Sequence, residues 1–119
     1  MKIQSFTFNP FQENTFVLWD NTGDCIIIDP GCYEKNEEQE LTAFIEKNNL
    51  NPVKLINTHC HIDHILGNKF VSHQWDLVLC IHKTDLPLLE SSVDIAKMYE
   101  LDDYKNSPSP SSFLEEGEI

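Results

Sequence analysis

The chain has 119 residues, enough for one globular unit with a modest core and too few to divide into domains. Twenty acidic side chains face eight lysines and no arginine, and the formal charge of -12 repels phosphate backbones and anionic membrane surfaces, so neither nucleic acid nor membrane is expected as a partner. Without arginine, an anionic substrate would have to rely on lysine or on a metal ion.

Phe6 and Phe8 alternate within residues 3–9, which read as a strand; residues 15–19 read as a second, joined to the first across the Asn9-Pro10 turn. A hairpin turn follows at Asp20-Asn21-Thr22-Gly23. Residues 25–28 are uniformly apolar, as a strand buried on both faces would be, and they stop at Asp29-Pro30-Gly31. Leu41, Phe44 and Ile45 then recur at helical spacing over 36–48; Glu37, Glu38 and Glu40 complement the dipole at the helix start and read as a solvated face. Residues 53–57 form a short apolar strand, and a helix is expected from about His64 to Gln74 with Leu66, Phe70 and Val71 inward. Residues 77–81 read as another strand, and 84–101 as a helix with Pro87 in its first turn. The composition of 106–112 is that of a loop or linker. Strand and helix alternate, an α/β pattern in which ligand sites gather beyond the carboxyl ends of strands, where Asp29, His59 and His82 fall.

Residues 1–5 lack the apolar run of a signal peptide, and no stretch approaches the roughly 18 apolar residues of a membrane span, so a cytoplasmic protein is expected. Cys25, Cys32, Cys60 and Cys80 show no C-x-x-C spacing and lie in or beside apolar segments, which suits reduced core thiols.

The run Thr58-His59-Cys60-His61-Ile62-Asp63-His64 places three imidazoles and a carboxylate in seven residues, the pattern of a transition-metal site. His59 and His61, at i and i+2, can converge on one ion from a loop, while Asp63 and His64 can address a second ion or the water on the first. Cys60 lies between two of these groups and points away from them in extended chain. Two ions about 3.5 to 4 Å apart can share a hydroxide formed near pH 7, so hydrolysis is the expected chemistry.

Thr58-His59-Cys60-His61-Ile62-Asp63-His64-Ile65-Leu66-Gly67 resembles the signature of the metallo-β-lactamase superfamily. Ile26-Ile27-Ile28-Asp29-Pro30-Gly31 resembles the strand and turn that precede it there, and Asn9-Pro10 with Glu13-Asn14-Thr15 resembles the start of glyoxalase II-like members. The resemblance implies a fold of class α/β, an αββα sandwich of two mixed sheets with helices outside. It also implies that His59 and His61 bind the first metal, that Asp63 and His64 bind the second, and that Asp63 orients the attacking water. Two zinc ions are the implied cofactor, with iron as the alternative. In that superfamily a third His, a bridging Asp and a last His come from further along, whereas this chain has only His73 and His82 beyond His64.

Leu114-Glu115-Glu116-Gly117-Glu118-Ile119 resembles the strand pair just before the segment carrying the third His, so residues 1–119 are expected to be the truncated N-terminal half of one such domain, its site incomplete. His73 is expected to be exposed on a helix; His82 is better placed, but the family position it matches is not usually a ligand. Asp29 is expected to cap its turn and support a ligand His from behind, and Asn14 and Asn57 to serve as turn or supporting residues.

The leading functional expectation is a glyoxalase II-like hydrolase of a small thioester or ester. The alternatives are a mononuclear-iron persulfide dioxygenase of the same fold and a non-catalytic metal-binding half-domain. A sandwich cut near its middle would also leave a sheet face uncovered, so a homodimer is expected, closing on Leu114 and Ile119 or on the face bearing Ile26 and Ile28.

Overall fold

The computed structural model describes residues 1–114. Six strands, β1 (Lys2–Phe8), β2 (Glu13–Trp19), β3 (Asp24–Ile28), β4 (Asn51–Ile56), β5 (Leu79–His82) and β6 (Pro110–Leu114), form one sheet in sequence order. The first three pair antiparallel through tight turns; β3 to β6 pair in parallel, so each of the later connections must cross over. The crossovers carry the helices α1 (Lys35–Lys47), α2 (Ile62–Ile65), α3 (Asn68–Trp75), α4 (Leu86–Glu90) and α5 (Ser92–Met98). With the strands in simple order and one handedness for every crossover, the helices collect on one face of the sheet.

Burial follows that geometry. Phe6, Phe8, Val17, Cys25, Ile27, Leu55, Leu79 and Ile81 pack beneath Leu41 and Ile45 of α1, Ile65 of α2, Val71 of α3 and Ala96 of α5. On the opposite face a second cluster, Ile56, Cys80 and Leu114 with the half-buried Ile26 and Ile28, contains only strand residues. The strand at 25–28 is therefore not buried on both faces as its composition suggested. Cys25 and Ile27 are covered by helices, while Ile26 and Ile28 face a side on which no helix packs among the described residues.

Three further expectations change. The helix expected from 64 to 74 is two helices broken at Gly67, whose backbone N–H donates to Pro30 O at 2.7 Å; a Cβ there would strike Cys32 Sγ. The helix expected over 84–101 is a 3-10 turn (Lys83–Asp85) followed by α4 and α5, which part at Ser91. The Ser91 hydroxyl donates to Pro87 O at 2.9 Å, a back-bond that bends helices. Residues 110–112, expected in a loop, begin β6: Pro110 takes its first position at the sheet edge, where the missing N–H costs least. Leu114 ends β6, and the remainder of the strand pair expected to 119, Ile119 included, lies outside the described residues. No helix among the described residues is long and apolar enough to cross a membrane.

Candidate metal centre

Strands β3 and β4 run in parallel and end side by side, so the turn after β3 and the loop after β4 meet at one edge of the sheet. Asp29 continues the ladder, its N–H donating to Ile56 O at 2.9 Å, and then turns with φ of 52°, a left-handed conformation that Asp tolerates better than most residues. Its carboxylate grips the loop opposite. Oδ1 accepts from the Thr58 N–H at 2.7 Å, and Oδ2 accepts from the Thr58 hydroxyl at 2.5 Å and lies 3.1 Å from His64 Nδ1. The expected role of Asp29, support of a His from behind, matches this contact.

Asn57, at the start of the loop, is fully buried in a reciprocal amide pair with Asn68 of α3, with bonds of 3.1 and 2.7 Å, and also donates to His64 O at 3.2 Å. Asn9, in the β1–β2 turn, donates to Gly31 O at 3.0 Å and to Asp63 O at 2.9 Å. The cluster is thus clamped at Thr58 and Asp63 by side chains from two other segments and at His64 by Asn57 of its own loop.

Within the clamp the His64 ring lies 3.9 Å from that of His59 between centroids, and the His59 ring lies 4.8 Å from that of His61. Asp63 Oδ2 is 3.4 Å from His64 Nε2. Donor atoms of Asp29, His59 and His64 all fall within 4.8 Å of one another. His61 is exposed at the N-cap of α2. Cys60 turns into the core, as the alternation in extended chain requires. His73 is exposed on α3; His82 is exposed and caps the 3-10 turn by accepting from Thr84 N–H at 3.2 Å. Asn14 is exposed on β2 rather than in a turn.

Glu13 is the site residue that the sequence reading missed as such. It opens β2, its side chain is fully enclosed, and Oε1 lies 3.5 Å from His64 Nδ1. Burial pushes its carboxyl up to about 9. The Thr15 hydroxyl accepts the Gly31 N–H at 2.9 Å and stands between two acceptors, Glu13 Oε2 at 3.0 Å and Asp29 O at 2.9 Å, to either of which it can donate. The available signal was phase, since Glu13 shares the inward register of Thr15 and Val17. Glu37 was misread as solvated: it accepts from Tyr33 N–H at 2.9 Å and Asn9 N–H at 2.7 Å, tying α1 to the β1–β2 turn.

Burial and the neighbouring His64 hold the His59 imidazole below its ordinary value. Burial also works against the charged form of His64, but the hydrogen bond and charge of Asp29, with Asp63, outweigh it and raise that imidazole. With Nδ1 against carboxyl groups, His64 presents Nε2 outward toward Asp63, the arrangement by which a metal-ligating His is usually held. Glu13 Oε1 and His64 Nδ1 are the buried side-chain polar atoms without a well-directed hydrogen bond among the described residues. The donor set of imidazole nitrogens and carboxylate oxygens fits a transition-metal ion.

A mixed sheet with helices on one face makes this an α/β protein, with a His and Asp cluster that could hold a metal ion beyond its parallel strands. A sequence profile of the metallo-beta-lactamase superfamily matches residues 8–116, and the chain belongs to that family. It is 30% identical over 120 residues to the hydroxyacylglutathione hydrolase GloC of Haemophilus influenzae, covering 100% of this chain and 55% of that one. It is 29% identical over 85 residues to the probable metallo-hydrolase YqgX of Bacillus subtilis, covering 71% of this chain and 38% of that one. Among solved structures, TTHA1623 in a di-iron-bound form superposes with a TM-score of 0.82 at 31% identity, over 98% of this chain and 56% of that one. The B3 metallo-beta-lactamase BLEG-1 shares the fold, with a TM-score of 0.81 at 20% identity, over 97% of this chain and 54% of its own. The chain spans about half the length of these structures and at most 55% of the two curated relatives named here.

Proposed function

We propose that this chain carries the N-terminal metal-binding part of a metal-dependent hydrolase acting on a small thioester or ester. His59 and His61 would hold a first ion, and Asp63 and His64 a second. The observation that carries the reading is the gathering of the three imidazoles, the His59 ring lying 3.9 Å from that of His64 and 4.8 Å from that of His61, with Asp63 Oδ2 3.4 Å from His64 Nε2. The names of the relatives, hydroxyacylglutathione hydrolase and metallo-hydrolase, support the thioester class, and the di-iron form of TTHA1623 supports iron beside zinc.

Bound ions would bring the pKa of a coordinated water down to about 7. The chain's own residues position and exclude. Asp29 and Glu13 lie against Nδ1 of His64 and would fix its tautomer from behind, Asn9 and Asn57 hold the backbone of Asp63 and His64 in place, and Asp63 would accept a hydrogen bond from an attacking water and orient it. We place the protein in the cytoplasm, where thiols such as its four free, buried cysteines stay reduced.

The test is metal content by emission spectroscopy together with hydrolysis of a hydroxyacyl-glutathione thioester. Metal-dependent turnover that falls in Asp63→Ala supports the reading. Metal binding without turnover in any longer form would give the site to a non-catalytic metal-binding domain instead.

A further inference from the structure

A cleft of about 400 Å³ opens against the cluster, whose His61, Ile62 and Asp63 line part of it. That volume lies within the range of about 300–1,000 Å³ of small-molecule pockets. The rest of its wall is apolar: Phe11 from the β1–β2 turn, Leu88 of α4, Ile95 and Met98 of α5, and Tyr99 at the end of α5. Phe11 meets Tyr99 edge to face at 5.2 Å between centroids, so two segments distant in sequence close one side. Phe11, Met98 and Tyr99 are nonetheless 41%, 79% and 56% exposed, large apolar surface left open next to polar groups.

Charge narrows what can enter. No lysine lines the cleft, the chain has no arginine, and Asp63 is the one carboxylate in the lining. A carboxylate or phosphate set among Phe11, Leu88, Ile95, Met98 and Tyr99 would find no lysine or arginine to pair it.

We infer that this cleft is the acyl subsite and takes an uncharged, apolar acyl group of several carbons, the thioester or ester carbonyl lying toward His61 and Asp63. The inference rests on the hydrolase reading above and names the class of substrate for the same site.

The test reads binding alone. The two methionines, Met1 and Met98, give the chain a methyl probe in the cleft and a control at the start of β1. The metal-free chain labelled at its methionine methyls is titrated with S-hexanoyl, S-acetyl and S-succinyl N-acetylcysteamine and followed by NMR. Met98 is expected to shift and saturate while Met1 stays still, with the hexanoyl thioester binding about tenfold or more tighter than the acetyl, since four added methylenes leave water, and with the succinyl thioester binding weakest.

Tyr99→Lys, at a position exposed enough to keep the fold, should weaken the hexanoyl thioester and strengthen the succinyl one. Equal affinity for hexanoyl and acetyl, or Tyr99→Lys leaving the order unchanged, overturns the inference. A Met98 signal that moves with protein concentration instead of ligand also overturns it and gives the cleft to a second copy of the chain. If the Met98 response holds but no metal-loaded form hydrolyses any thioester, the hydrolase reading fails and the cleft stands; turnover without acyl-length preference in binding removes only this inference.

Discussion

Asp29 Oδ2 stands 3.1 Å from His64 Nδ1 while the same carboxylate takes the Thr58 N–H and hydroxyl, so one buried side chain sets both the start of the metal loop and the orientation of its last imidazole. Asp29→Asn keeps the volume and loses the charge that holds the Nδ1 proton. Metal affinity should drop about 10- to 100-fold, as is usual when the partner behind a ligating His is altered. Isothermal titration of wild type and variant checks this, and equal affinities would show that Asp29 is dispensable to the site.

Glu13 imposes a pH dependence on the metal-free chain. Burial raises its carboxyl from 4.5 to about 9, so the folded chain keeps a proton that the unfolded chain has released above about pH 4.5. The unfolded state binds fewer protons across that window, and stability therefore falls as pH climbs toward about 9. Glu13→Gln is neutral throughout and should flatten this decline, measured as urea midpoints from about pH 5 to pH 8. Parallel declines in the two proteins would place the titration elsewhere.

Gly67 is required by close approach. An added Cβ would meet Cys32 Sγ and lie 2.8 Å from Pro30 O and 3.0 Å from Cys32 O, and the backbone atoms cannot rotate away. Gly67→Ala should cost about 1–3 kcal/mol, the range of overpacking substitutions. A urea midpoint unchanged from wild type would mean that the turn carrying Cys32 is free to yield.

The sheet face on which no helix packs among the described residues should associate. Phe16, Ile28, Ile56 and Cys80 lie in register across four strands, and Phe16 and Ile28 are only half-buried. Covering this row in a homodimer at moderate salt, where the charge of -12 is screened, is the expected outcome by sedimentation at tens of micromolar protein. Ile28→Lys should shift the chain toward monomer, and a wild-type monomer without dye-accessible apolar surface would refute the expectation.

Much of this architecture was legible because period and punctuation agreed. The strands at 3–9 and 15–19, the helix with Leu41 and Ile45 inward, and the ending of β3 and β4 beside Asp29 and the His cluster all follow local rules. What escaped was decided by tertiary contact. Nothing local distinguishes Glu37, which ties α1 to Asn9, from the exposed Glu40 of the same acidic run. The composition of 106–112 signals a loop, yet β5 offers an open edge that draws 110–114 into the sheet. Glu13 precedes the strand expected at 15–19, and its enclosure depends on the turn at Gly31 and the ring of His64, which come from elsewhere in the chain.

The most direct measurement is a cobalt(II) titration followed by visible absorption on the 119-residue chain and on single His→Ala variants. Each ion would find at most two ligands in the cluster, against three protein ligands and a water in stable catalytic zinc sites, so binding is predicted to be weak. It should be lost in His59→Ala, His61→Ala and His64→Ala and retained in His73→Ala and His82→Ala. Tight two-metal occupancy of the monomer, or binding that survives loss of His59 and His64 and disappears with His73 or His82, would contradict the assignment of the metal centre.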